Sequence, residues 1–160
     1  MAGKVIGKTL PFGFRGNPAA SRDTIIEAFR NVGQVNIQFG APVVFDATNK
    51  GVRALKSTDS DATAIIGIAV RHAGQPYEDS NAGYYYKPND TVDVLVLGQI
   101  TVELKATTGI AARGQVYADP SDGELTSVST NNLAIPNAVF VNGDFDGDKI
   151  TEIAILKRSI

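Results

Sequence analysis

The stretch Tyr84-Tyr85-Tyr86-Lys87-Pro88-Asn89-Asp90-Thr91-Val92-Asp93-Val94-Leu95-Val96-Leu97-Gly98-Gln99-Ile100-Thr101-Val102-Glu103-Leu104-Lys105 decides the fold. It holds two alternating runs. In the first, Val92, Val94 and Val96 share one face, with Asp93, Leu95 and Leu97 on the other. In the second, Ile100, Val102 and Leu104 face one way, and Gln99, Thr101, Glu103 and Lys105 the other. Successive side chains leave a strand on opposite sides, so a period of two reads as strand. Gly98 interrupts the pattern where a missing side chain suits a bulge or a sharp bend. Pro88-Asn89-Asp90 is the turn that admits the chain to the first run. A bent strand, or two strands meeting at a corner, is how small barrels and orthogonal sandwiches turn their sheets.

Outward from this stretch, the same signals repeat. Val35–Phe39 alternates, Gly40-Ala41-Pro42 turns, and Val43–Asp46 reads as a short buried strand. Asn49-Lys50-Gly51 turns the chain into Val52–Leu55, and a polar loop over 57–61 precedes the strand Ala64–Val70, with Gly67 inside it. Residues 71–83 read as a long exposed loop. Further strands are expected at Gln115–Ala118, at Leu125–Val128, and in a closing hairpin of Ala138–Val141 with Ile150–Leu156. Many short strands at this spacing predict an all-β protein, a small β-barrel or sandwich-like body. No internal repeat is present.

The first 33 residues differ in composition. Residues 1–22 are rich in Gly, Pro and Asn, which suits an extended arm, yet Leu10, Phe12 and Phe14 alternate within it, so the arm is expected to dock on a surface. Over residues 21–31, Asp23 and Glu27 would suit a short helix, but the β-branched run Thr24-Ile25-Ile26 favours a strand, and the strand is preferred. The organisation expected is an N-terminal arm and first short element over 1–33, and a single-domain body over 34–160.

Composition narrows the function. The 160 residues carry a formal charge of −2, which argues against nucleic-acid binding by charge alone. Residues 1–35 hold five cations against two carboxylates, a net of +3, leaving −5 for the rest. A basic arm on an acidic body predicts an arm that touches a partner, and Phe12, Phe14, Arg15, Arg22 and Arg30 are its candidate contacts. The absence of cysteine excludes disulfides and thiolate chemistry and fits synthesis in a cytoplasm. No apolar run approaches the roughly 20 residues of a membrane span. One histidine, His72, stands without a nucleophile motif, so no enzyme is expected.

Two motifs bear on binding. Gly143-Asp144-Phe145-Asp146-Gly147-Asp148 sets Asp144, Asp146 and Asp148 at alternate positions, as calcium loops do. The calcium pattern, however, needs Gly where Lys149 stands and Glu where Ile155 stands. A solvated acidic turn is the preferred reading, with no metal and no cofactor, and a calcium-dependent carbohydrate or surface-binding β module is the alternative. Tyr84, Tyr85 and Tyr86 could stack on bases or sugars, but exposed tyrosine is a common oligomer-interface residue, and that role is expected.

Three segments in order carry a resemblance: Gly40–Phe45 with Gly51-Val52-Arg53, then Ile66–Arg71, then Tyr86–Val102. With Gln115-Val116-Tyr117 and Ile135–Ala138, they resemble the cement, or head decoration, proteins of tailed bacteriophages over most of residues 34–141. The resemblance implies a β-barrel-like body on the outer surface of the virion's capsid, trimeric, with the major capsid protein as partner. It supplies no catalytic residues.

Overall fold

The structure, a computed structural model, describes residues 14–19, 23–72, 78–79, 83–145 and 149–159. The strands among them are β1 (Ile25–Arg30), β2 (Ile37–Gln38), β3 (Pro42–Asp46), β4 (Gly51–Ala54), β5 (Ile65–Ala69), β6 (Glu78–Asp79), β7 (Gly83–Tyr86), β8 (Thr91–Glu103), β9 (Gln115–Ala118), β10 (Leu125–Thr126), β11 (Leu133–Phe140) and β12 (Ile150–Ile155). A 3-10 turn at Ala62–Ala64, capped by the Asp61 side chain on the Thr63 amide, is the helix among the described residues. The all-β expectation holds, as a curled half-barrel.

The large sheet runs β10-β9-β11-β12-β8-β5-β3-β4, with β1 also on β8; β2, β7 and β6 form a small second sheet. The first half of β8 pairs with β1 and β5, and the second half with β12. On the second half's other edge lies the segment 14–19. Gly16 N donates to Thr101 O at 2.7 Å, Thr101 N to Asn17 O at 2.9 Å, and Ala19 N to Gln99 O at 2.9 Å. The segment and β1 thus both lie along β8.

β8 is one strand, sharply bent. Val70 N donates to Asp93 O, Arg71 N to Gly16 O, and Gly16 N to Thr101 O, each at 2.7 Å. This chain of bonds links Asp93 to Thr101 across no more than roughly 16 Å of backbone. Eight residues of straight strand would put them about 26 Å apart. The bend also changes the phase of the side chains. Val92, Val94 and Val96 belong to one core cluster with Phe39 and Tyr86, whereas Leu95 joins Ile100, Val102 and Leu104 in the other. A one-residue change of phase is what a bulge produces, and the register of β1 steps from Leu95 to Leu97, skipping Val96. Gly98 follows at φ 121°, with Thr24 packed on its backbone.

The two ends of the large sheet curl back, one onto β1 and the other onto β8. β4 returns to the end of β1 through Val32 N on Val52 O at 2.9 Å, and β10 returns to the end of β8 through Lys105 N on Leu125 O at 2.8 Å. β5 has both faces buried between the two cores, which explains Gly67: a Cβ there would lie 2.2 Å from Leu95 O. On β11 the register breaks between Ala134 and Val139, and the Gln115 amide bridges the gap to the carbonyls of Ile135 at 2.8 Å and Ala138 at 3.1 Å. The closing hairpin of β11 and β12 forms as expected.

Two local expectations need correction. Val35–Phe39 alternates in sequence but only Ile37–Gln38 is strand, because Phe39 enters the core and Gly40 turns at φ 74°. Residues 71–83 include the short strand β6, paired with β7, rather than loop alone. The polar loop over 57–61 forms as expected and is pinned: Arg53 grips Asp59 through two hydrogen bonds of 2.8 and 2.7 Å, which holds the Asp59 carboxyl below its usual range.

Candidate docking surface

The residues singled out in the sequence fall into three groups. Phe12, Arg22, Asp146 and Asp148 lie outside the described residues. Arg15 and Tyr86 are built into the body. Phe14, Arg30, Tyr84, Tyr85 and Asp144 lie wholly or partly at the surface.

Arg15 works inside the fold. Its Nε donates to Phe39 O at 2.5 Å, its Nη2 to Gln38 Oε1 at 2.8 Å, and its Nη1 pairs with Glu103 Oε2 at 3.3 Å. The three contacts tie the segment 14–19 to β2 and to the end of β8. Arg30 is exposed and donates to Asn89 Oδ1 at 2.7 Å.

The three tyrosines separate as strand alternation dictates. Tyr86 is 1% exposed, its ring edge-on to Phe39 at 5.0 Å and its hydroxyl donating to Val70 O at 2.6 Å. Burial, reinforced by the Asp93 carboxylate, raises its phenol above the ordinary range. As an oligomer-interface candidate Tyr86 is therefore withdrawn, because its ring fills the chain's own core. Tyr84 is half-buried and stacks on Phe39 with ring centroids 6.2 Å apart and planes 11° apart. Tyr85 is half-buried on the opposite face of β7.

Sequence reasoning missed Arg71, the residue after the β5 strand and Val70. Its guanidinium carbon lies over two rings, 4.5 Å from the Phe14 centroid and 5.0 Å from that of Tyr84. Its backbone N–H holds Gly16 O. The neighbours that frame it come from positions 14 and 84, so no local motif could have marked it. Phe14 stays 64% exposed despite this contact.

Other apolar groups are exposed on β1 and at the end of β12. Ile25, Ile26 and Leu156 are 38%, 43% and 53% exposed. Ile25 sits opposite Leu97 and Ile155 opposite Gly98. An open hollow of about 350 Å³ is lined by Leu97, Gly98, Ile155 and Leu156, with Asp23 also among its walls. A smaller cleft of about 130 Å³ is lined by charged groups, Arg15, Glu103, Lys105, Glu124 and Lys149. There Lys105 bonds to Asp119 and Asp122, which with the Ser121 hydrogen bonds brings the Asp119 carboxyl down to about 2. Among the described residues no group of three or more His, Asp or Glu could hold a metal ion, and His72 is exposed.

The chain belongs to the family described as "Structural cement protein (E217 gp24/Pam3 gp6)", a phage family whose model matches residues 3–156. That family is structural rather than enzymatic. In fold the chain is similar to one in the solved structure titled "The capsid of Myoviridae Phage XM1". The two share 21% identity, 99% of each chain is covered, and the TM-score is 0.72. No curated protein matches. The protein is accordingly a structural component of a phage capsid.

Proposed function

We propose that this protein sits on the outer surface of the capsid, as a homotrimer, and stabilises the shell by bridging neighbouring major capsid protein subunits. The observation that carries the reading is the family match over nearly the whole chain. The exposed apolar residues Phe14, Ile25, Ile26 and Leu156 support it, since such side chains are candidates for burial against a partner. The mechanism is linkage. A protein that binds only the assembled lattice stabilises that lattice by its binding free energy. Symmetry repeats one contact many times, so modest affinities sum to a strong shell. The protein would be made in the host cytoplasm and join the shell there, without nucleic acid or membrane as partner.

The test is to heat decoration-free capsids of the source phage with and without added protein. Disruption should move to higher temperature only when the protein is present and in proportion to its occupancy. An unchanged disruption temperature at saturating protein would contradict the reading.

A further inference from the structure

We infer that Arg71 is a contact residue for a carboxylate on the capsid partner, held ready by the rings of Phe14 and Tyr84. The inference rests on the cement reading and names a contact within it.

Three observations carry it. First, the guanidinium carbon lies over two aromatic rings, 4.5 Å from the Phe14 centroid and 5.0 Å from that of Tyr84. Contact with ring faces leaves the N–H donors of a guanidinium free to bond, in the planar fork that matches a carboxylate. Second, the frame is anchored. Tyr84 stacks on the buried Phe39, and the Arg71 backbone N–H is fixed on Gly16 O at 2.7 Å. Ordering a free arginine is a large part of what such a contact costs, and here the fold has already done it. Third, among the described residues no acceptor is hydrogen-bonded to the Arg71 guanidinium, while Arg15 is bonded to Phe39, Gln38 and Glu103 and Arg30 to Asn89. Phe14, exposed beside the fork, gives the same contact an apolar shoulder.

A carboxylate is the fitting partner because the fork is bidentate and flanked by apolar rings rather than by further cations. A phosphate backbone would call for a basic surface, and the chain's formal charge is −2.

The experiment is co-sedimentation of the full-length protein with decoration-free capsids, comparing the unaltered chain with Arg71→Lys, Phe14→Ala and Glu78→Gln, each with its melting temperature. Lysine keeps the charge but loses the planar fork. Arg71→Lys should bind roughly tenfold or more weakly, with little change in melting temperature. Phe14→Ala should weaken binding about threefold by freeing the guanidinium. Glu78→Gln, on the strand beside Tyr84, should bind as the unaltered chain does. Unaltered protein that binds, with Arg71→Lys binding equally well, would overturn the inference and leave the cement reading intact. Lower melting temperatures shared by Arg71→Lys and Glu78→Gln, with binding unchanged, would assign Arg71 to an internal pair and also overturn it. If Arg71→Lys does not fold, unchanged binding by Phe14→Ala overturns the inference. Unaltered protein that does not bind overturns the cement reading and this contact with it.

Discussion

Gly16 and Gly40 meet back to back. Both have left-handed backbones, at φ 83° and 74°. A Cβ on Gly16 would lie 3.0 Å from Gly40 N and 2.9 Å from Arg71 N, and one on Gly40 would lie 3.0 Å from Gly16 N. The contact seats the 14–19 segment inside the bend of β8. Gly16→Ala should therefore destabilise the fold by about 1–2 kcal/mol from backbone conformation alone, with the close contact adding to that. Gly40→Ala should do the same, and the double variant should lose less than the sum, because one contact is removed twice. Urea unfolding of the three variants reads this out; additive losses would show that the two glycines act separately.

Gly67 guards a closer approach. A side chain there would meet Leu95 O at 2.2 Å, backbone that cannot move without parting β5 from β8. Gly67→Ala should cost about 3 kcal/mol or more, or prevent folding. A soluble variant with an unchanged urea midpoint would contradict the strand packing described.

Tyr86→Phe removes the hydroxyl that satisfies Val70 O in the core. The loss should be about 1–1.5 kcal/mol of stability, with capsid binding unchanged. Weaker capsid binding at equal stability would show that the Tyr86 hydroxyl acts beyond the core.

Acid should dissolve the Lys105 pair with Asp119. The Asp119 value of about 2 lies below the ordinary 3.8, so the charged form is favoured by folding. Its contribution is fully present above about pH 4 and disappears as pH falls through about 2. The pair is solvent-screened, so the effect is small. Asp119→Asn should melt slightly below the unaltered chain at pH 7 and together with it near pH 2. A gap that persists at low pH would assign the effect to packing.

Chelation should leave the melting temperature unchanged, since Asp144 reads as part of a solvated turn. A fall on chelation, abolished in Asp144→Ala with Asp146→Ala, would favour the calcium-dependent surface module instead.

Much of this fold was legible in sequence because strand alternation and turn chemistry are local. Thr91–Glu103 announced itself through its valines, and Gly98 through its interruption. The closing hairpin and the strand at Ile25–Arg30 were readable for the same reason. What alternation could not show was which neighbour each edge would find. That Arg15 reaches Gln38 and Glu103 depends on where β8 bends, and a charge count saw only a basic arm. Tyr86 and Tyr84 looked equivalent until the β7 strand put one in the core and the other against Arg71. Asn31, buried with its amide on Val35 O and Lys87 O, gave no sign in sequence because its partners are also set by tertiary structure.

Everything proposed for this chain depends on its binding to an assembled shell. Its most direct test is titration of decoration-free capsids with the purified protein, counting copies per shell at saturation. Saturable binding is expected, with a copy number set by the lattice of major capsid protein subunits and no comparable binding to unassembled subunits. Absence of saturable binding to intact capsids, or equal binding to unassembled subunits, would contradict it.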